Sequence, residues 1–240
     1  MTGPARFRYN AKTHVGLRRK VNEDSVLALP GHDIWLVSDG MGGHDAGDFA
    51  SRLVADSVAM IPAGLDPTAR MHALRDAIRA AHGAIQAEAA ARGGNTIGAT
   101  VVALMIANGH FVGLWAGDSR LYRLRAGEIE MLTTDHSVVA GLVLAGQMSW
   151  DEAENHPQSN AITRAVGIGD DFELDKIRGQ IRPGDRFLLC SDGLTKYAGV
   201  ATLARMLGSL PLETVTDELV QLALAGGGAD NISVIVVDVI

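Results

Sequence analysis

The chain carries one cysteine in 240 residues. Cys190 alone excludes a disulfide framework and any zinc site built on several thiolates. An excess of basic residues is also missing: 21 Lys and Arg stand against 28 Asp and Glu, a formal charge of −7. Phosphate backbones call for a cationic face, so no nucleic-acid partner is expected. Long hydrophobic runs are absent too. The longest, 101–107 and 138–146, fall far short of the roughly 20 residues that span a bilayer. The basic N-terminal stretch has no apolar segment behind it, so neither an export signal nor a membrane is expected, and the cytoplasm is the expected compartment. What remains is an ordinary globular composition, 47% apolar and 20% charged. A chain of this length buries a core without covalent help.

The regular alternation of strand and helix that marks a parallel sheet is missing as well. Residues 34–38 read as a buried strand that ends at Asp39-Gly40, and three glycines within positions 40–43 suit a tight loop. Apolar residues recur at helical spacing over 46–61 and 67–91. Strands follow at 100–106 and 111–116, joined by the hairpin signal Asn108-Gly109. A second hairpin is expected over 121–125 and 128–132 around Ala126-Gly127. Arg182-Pro183-Gly184-Asp185 suits a type II turn that launches a strand at 187–190. A helix at 212–224 then precedes a last strand running to 239. The order predicts an α+β fold of antiparallel sheets packed on helices. No linker or repeat divides it, so 1–240 is expected to be one domain, with 133–169 as an irregular surface excursion.

The acidic residues are placed unusually. Asp39, Asp118 and Asp192 each fall at the end of an apolar run, Asp230 opens one, and Glu23-Asp24 lies near the start. Strand ends can converge on one edge of a sheet. Two carboxylates about 5 Å apart at an effective dielectric near 20 repel by roughly 3 kcal/mol. A convergent set therefore needs either protons or cations. Oxygen ligands without histidine or thiolate suit Mg²⁺ or Mn²⁺. A single Asp-Gly is most often a turn, so spacing alone leaves the turn and the metal site as equal alternatives.

Six strings, in order, carry a resemblance. They are Gly16–Ser25 (GLRRKVNEDS), Ser38–His44 (SDGMGGH), Gly117-Asp118-Ser119-Arg120, His156-Pro157 with 160–167, Ser191-Asp192-Gly193-Leu194 and Asp230-Asn231-Ile232-Ser233. Together they resemble the bacterial metal-dependent (type 2C, PPM) serine/threonine protein phosphatases. The resemblance implies a four-layer α-β-β-α sandwich, two stacked antiparallel sheets flanked by helix pairs. It implies two Mn²⁺ or Mg²⁺ ions held by Asp39, the Gly40 carbonyl, Asp192 and Asp230. Asp24 joins the metal set, with Glu23 and Asn231 behind it, and Asp118 matches a ligand for a third ion. Arg19 matches the arginine that grips the substrate phosphate. The mechanism implied is direct attack by a metal-bridging water on phosphoserine or phosphothreonine, reversing a Ser/Thr kinase. Phosphorylated proteins are the partners implied, for a chain acting as a monomer. Residues 112–125 also resemble the version linked to type VI secretion control.

Some positions depart from that pattern. Met41 stands where many eukaryotic members place a histidine proposed as general acid. His44 is the nearby substitute, in a supporting or proton-donating role. His136 and His156 are expected to be solvated loop histidines, Trp115 a core residue, and Trp150 an anchor for the excursion. Six positions after Cys190 stands Lys196, where a cysteine-dependent phosphatase needs arginine, and Cys190 is expected in the core. Two alternatives stay open: a phosphatase-like binding module without turnover, and another two-metal hydrolase such as a small-molecule phosphatase.

Overall fold

The computed structural model describes residues 6–42, 46–153, 156–159 and 161–240. Two antiparallel sheets lie at its centre. The first contains β2 (Asp24–Leu29), β3 (Ile34–Met41), β5 (Val101–Ala107), β6 (His110–Ala116) and β9 (Asp175–Gln180), in that spatial order, with β4 (Gly98–Ala99) paired to the end of β3. The second runs β1 (Phe7–His14), β11 (Ile232–Val239), β10 (Arg186–Cys190), β7 (Arg120–Arg125) and β8 (Glu128–Met131).

Side-chain alternation shows why the central strands β5 and β11 are almost wholly apolar. In β5, Val101, Ala103 and Met105 face α1 (Ala46–Ala59) and α2 (Pro67–Ala91), while Val102, Leu104 and Ile106 face the other sheet. In β11, Val234 and Val236 face α6 (Val200–Ser209) and α7 (Leu212–Ala225), while Ile235 and Val237 turn inward. Both faces are covered, so no polar face is tolerated. Each large aliphatic side chain buried this way contributes about 1.5–3 kcal/mol. The expected α+β sandwich is the one observed, helices outside and two sheets within. Cys190 is buried in the helix-facing core of the second sheet.

Local signals act at the ends of several elements. Asp66 caps α2 by accepting from the Thr68 and Ala69 amides, and Pro67 starts the helix. Asn108 and Gly109 both adopt positive φ, as the two-residue hairpin requires. Several elements depart from the sequence reading. Asp39 lies inside β3, which continues to Met41 rather than stopping at Ser38. β1, β2, β9 and α6 had no expected counterpart. The excursion 133–169 holds two short helices, α3 (Val138–Leu144) and α4 (Trp150–Ala153), and is tied down by bridges from Ser137 to Ile162 and from Val166 to Ala99.

Candidate metal centre

Register brings the acids together. β2 pairs with β3 so that Asp24 stands directly opposite Asp39. Like charges in that relation destabilise a sheet, so packing gives no reason for the pair. Asp118 follows β6 by two residues, and Asp192 opens α5 (Asp192–Thr195) just after β10. Asp230 lies two residues before β11. The two central sheets thus deliver their carboxylates to one edge of the sandwich.

A cavity of about 220 Å³ opens there, lined by Arg19, Glu23, Asp39, Gly40, Asp118, Asp192 and Asp230 among others. Asp24 is not in that lining. It lies behind the wall, 7% exposed, with Oδ2 accepting from the Ser191 hydroxyl at 2.8 Å. Its Oδ1 is buried with no hydrogen-bond partner among the described residues. Burial pushes the Asp24 carboxyl up to about 7, the charges of Asp192 and Asp230 add to this, and the serine hydroxyls oppose it. Burial, then the neighbouring Asp24, Asp192, Asp118 and Asp230, holds Asp39 well above the usual carboxylate range. Asp118 is raised in the same way, by burial and by Asp192 and Asp135, against the pull of Arg120. Glu23 is raised by burial, with Arg19 opposing.

Hydroxyls and amides hold these groups in place. The Asp39 amide donates to Thr100 Oγ1 at 2.9 Å, and Thr100 Oγ1 shares a further bond with Ser119 Oγ. Asn231 is fully engaged: its Oδ1 accepts from the Glu23 amide, and its Nδ2 donates to the carbonyls of Val15 and Val21. Gly40 is forced by space. A Cβ there would lie 2.0 Å from the Gly47 carbonyl oxygen and 2.7 Å from that of Glu23. Arg19 reaches Asp230 with Nη2 to Oδ2 at 2.8 Å, and its side chain stays 48% exposed.

A narrower cleft adjoins the cavity, lined by Asp118, Arg120, Asp135, Asp192 and Lys196 among others. Arg120 locks Asp135 through three contacts of 2.7–3.1 Å, and the Trp150 ring lies 5.1 Å from its guanidinium. Trp150 is therefore an anchor, as expected, and Trp115 is buried with its indole donating to the Thr134 carbonyl. His136 is a correction. It is no solvated loop histidine: it stacks on Trp115, and its Nδ1 accepts from the Gly117 amide at 3.1 Å. Burial and Arg164 lower its pKa, which keeps the ring neutral and able to accept. His156 is partly exposed and accepts from the Gln158 amide. His44 and Asn160 lie outside the described residues.

The donor set fits hard divalent cations. Among the described residues, no histidine or cysteine lines the cavity. No three acidic, histidine or cysteine side chains among them group tightly enough to hold an ion unaided. The carboxylates instead stand around the space, which suits Mg²⁺ or Mn²⁺ sites that keep several waters as ligands. The unpartnered oxygen of Asp24 and the mutually raised carboxyls both mark charge awaiting a counter-ion. Sequence reasoning missed Thr100, Ser119, Ser191 and the Arg120–Asp135 pair. Ser119, Ser191 and Arg120 lay within strings already singled out, where a hydroxyl or guanidinium beside an aspartate was the available signal. Asp135 carried none.

Comparison with known proteins agrees with this geometry. The family model described as protein phosphatase 2C matches residues 17–225. The serine/threonine protein phosphatase PstP of Mycobacterium tuberculosis is 39% identical over 98% of this chain, which spans 45% of that relative's length. The crystal structure of the PstP catalytic domain in complex with two manganese ions superposes with a TM-score of 0.86 at 36% identity, covering 98% of this chain and 99% of that one. PppA, described as a key regulatory component of the type VI secretion system in Pseudomonas aeruginosa, gives a TM-score of 0.91 at 41% identity, covering 98% of each chain.

Proposed function

The chain belongs to the protein phosphatase 2C family, and from that premise we propose that it hydrolyses phosphoserine and phosphothreonine in other proteins with the help of divalent metal ions. The observation that carries this reading is the ring of acidic side chains around one cavity with Arg19 at its rim.

Asp39, Asp192, Asp230 and the Gly40 carbonyl would hold two Mn²⁺ or Mg²⁺ ions. Asp24 supports them from behind the wall, Glu23 faces the cavity beside them, and Asp118 with Asp192 would hold a third ion. When bound, such ions cancel the charge of a phosphate monoester and lower the pKa of a water near neutrality. The chain's own contribution is placement. Thr100 fixes the backbone of Asp39, and Ser191 fixes Asp24. Arg19 touches Asp230 through one nitrogen, so the rest of its planar fork is available for phosphate oxygens. The sole cysteine is buried in the helix-facing core, and direct attack by water is the route that the family resemblance implies.

This reading takes residues 1–240 as one catalytic domain with 133–169 as its flap, acting as a monomer in the cytoplasm. Among the described residues no helix is long and apolar enough to cross a membrane. A Ser/Thr kinase and its phosphorylated targets are the natural partners, and the likeness to PppA supports a place in type VI secretion control.

The test is phosphate release from a phosphothreonine peptide with Mn²⁺, with Mg²⁺ and with EDTA, alongside Asp192→Asn. Activity that requires metal and drops at least about a thousandfold in the variant is expected. Silence of the folded wild type with both metals would turn the assignment to a binding module.

A further inference from the structure

We propose that the loop 17–21 is a specificity edge of this site, and that Arg18 and Lys20 select phosphoproteins with acidic residues beside the phosphorylated serine or threonine. The proposal rests on the phosphatase reading above.

The loop is a rigid platform. At one foot the Gly16 amide donates to His14 Nδ1 at 2.9 Å, and the Leu17 amide to the Gly228 carbonyl at 2.7 Å. The Asn231 side chain ties both feet together through Val15 and Val21. Gly16 adopts φ +80°, and a Cβ there would lie 2.1 Å from the Asp230 carbonyl oxygen. The loop is thus pressed against the segment that carries Asp230. Between the feet, Leu17, Arg18, Arg19, Lys20 and Val21 are all exposed. A loop already held in one conformation loses little freedom when a partner binds it.

Charge on this platform is not spent within the fold. Arg19 turns to Asp230, but neither Arg18 nor Lys20 forms an ion pair among the described residues. Many arginines elsewhere are committed, such as Arg120 to Asp135, Arg125 to Asp185 and Arg186 to Asp238. Arg79, Arg178 and Arg205 share the unpaired state of Arg18 and Lys20 among the described residues but lie away from the cavity lining. With divalent ions seated, much of the inner carboxylate charge is offset, and the loop cations add attraction for acidic side chains that flank the phosphorylated residue. Exposed pairs contribute modestly. Two of them correspond to roughly three- to tenfold in kcat/KM.

Three phosphothreonine peptides that differ only in their flanking residues, all Glu, all Gln or all Lys, provide the test with the Mn²⁺-loaded enzyme. The wild type is expected to rank them Glu, Gln, Lys in kcat/KM, with the spread shrinking as salt is raised. The double variant R18Q/K20Q is expected to lose most of that spread while hydrolysing p-nitrophenyl phosphate at the wild-type rate. An equal spread in both proteins, or no spread in the wild type, overturns the proposal and leaves the phosphatase reading intact. Failure on p-nitrophenyl phosphate and on every peptide would overturn both.

Discussion

Asp39 sits in a strand that would be more stable without it. Its partner across the ladder is Asp24, and burial together with four neighbouring carboxylates disfavours its ionised form. Removing one charge from such a group relieves roughly 3 kcal/mol per close pair at an effective dielectric near 20. Asp39→Asn is therefore expected to raise the melting temperature in EDTA by several degrees while lowering phosphatase activity by at least about a thousandfold. Calorimetry and phosphate release on the same preparation check both arms, and a variant less stable than wild type in EDTA would contradict the account. At this scale the sequence was legible wherever a carboxylate stood at the end of an apolar run. Asp39, Asp118, Asp192 and Asp230 all reach the cavity lining. The resemblance put Asp24 among the ligands with Glu23 behind it, and the structure reverses them: Glu23 lines the cavity and Asp24 lies behind its wall. Neighbouring residues along a chain in extended form point to opposite faces, and only the β2–β3 register decides which one sees the cavity. His136 was misjudged because its stacking partner, Trp115, lies 21 positions earlier and on another element.

Among the elements, those with a strong local pattern were readable and those defined by distant partners were not. α2 was legible because its apolar residues keep helical spacing and a glycine pair ends it, whereas its Asp66 cap was not read. β1, by contrast, reads FRYNAKTH with mixed burial and exists through its pairing with β11, more than 200 residues away. β9 is likewise a half-exposed edge strand, and such strands follow context more than propensity. The β7–β8 hairpin supplies a prediction. Its turn places Ala126 at φ 51°, a left-handed conformation that asparagine tolerates better. Ala126→Asn is expected to stabilise the fold by about 0.5–1 kcal/mol, seen as a rise of a few degrees in melting temperature with unchanged kcat/KM.

The molecule as a whole couples stability to its ions. A ligand that binds the folded state alone, present at 100 times its dissociation constant, adds about 2.7 kcal/mol. Saturating Mn²⁺ is accordingly expected to raise the melting temperature by about 5–10 °C. The metal-free protein is also expected to depend on pH. Asp24 keeps its proton up to about pH 7 when folded, whereas an unfolded chain sheds it near pH 4. The folded state therefore binds more protons across that interval, and stability falls as pH rises through it. Melting curves in EDTA should decline from pH 5 to 7 and flatten with Mn²⁺; a rise over that range would contradict the sign. The sandwich itself was legible because apolar runs such as 101–107 are covered on both faces, while the pairing order of the strands is set by contacts no local pattern encodes.

The segments that meet at Asn231 lie more than 200 residues apart in sequence. Arg19 needs Asp230, the Glu23 amide needs Asn231, and β1 needs β11. A ribosome must therefore deliver residue 231 and the strand behind it before the cavity can close. Nascent chains halted earlier carry Asp39, Asp118 and Asp192 but lack the wall that sets Arg19 over them. Assembly of the site thus waits on residues 230–239, and a copy halted before them carries the acids without the pocket that they line.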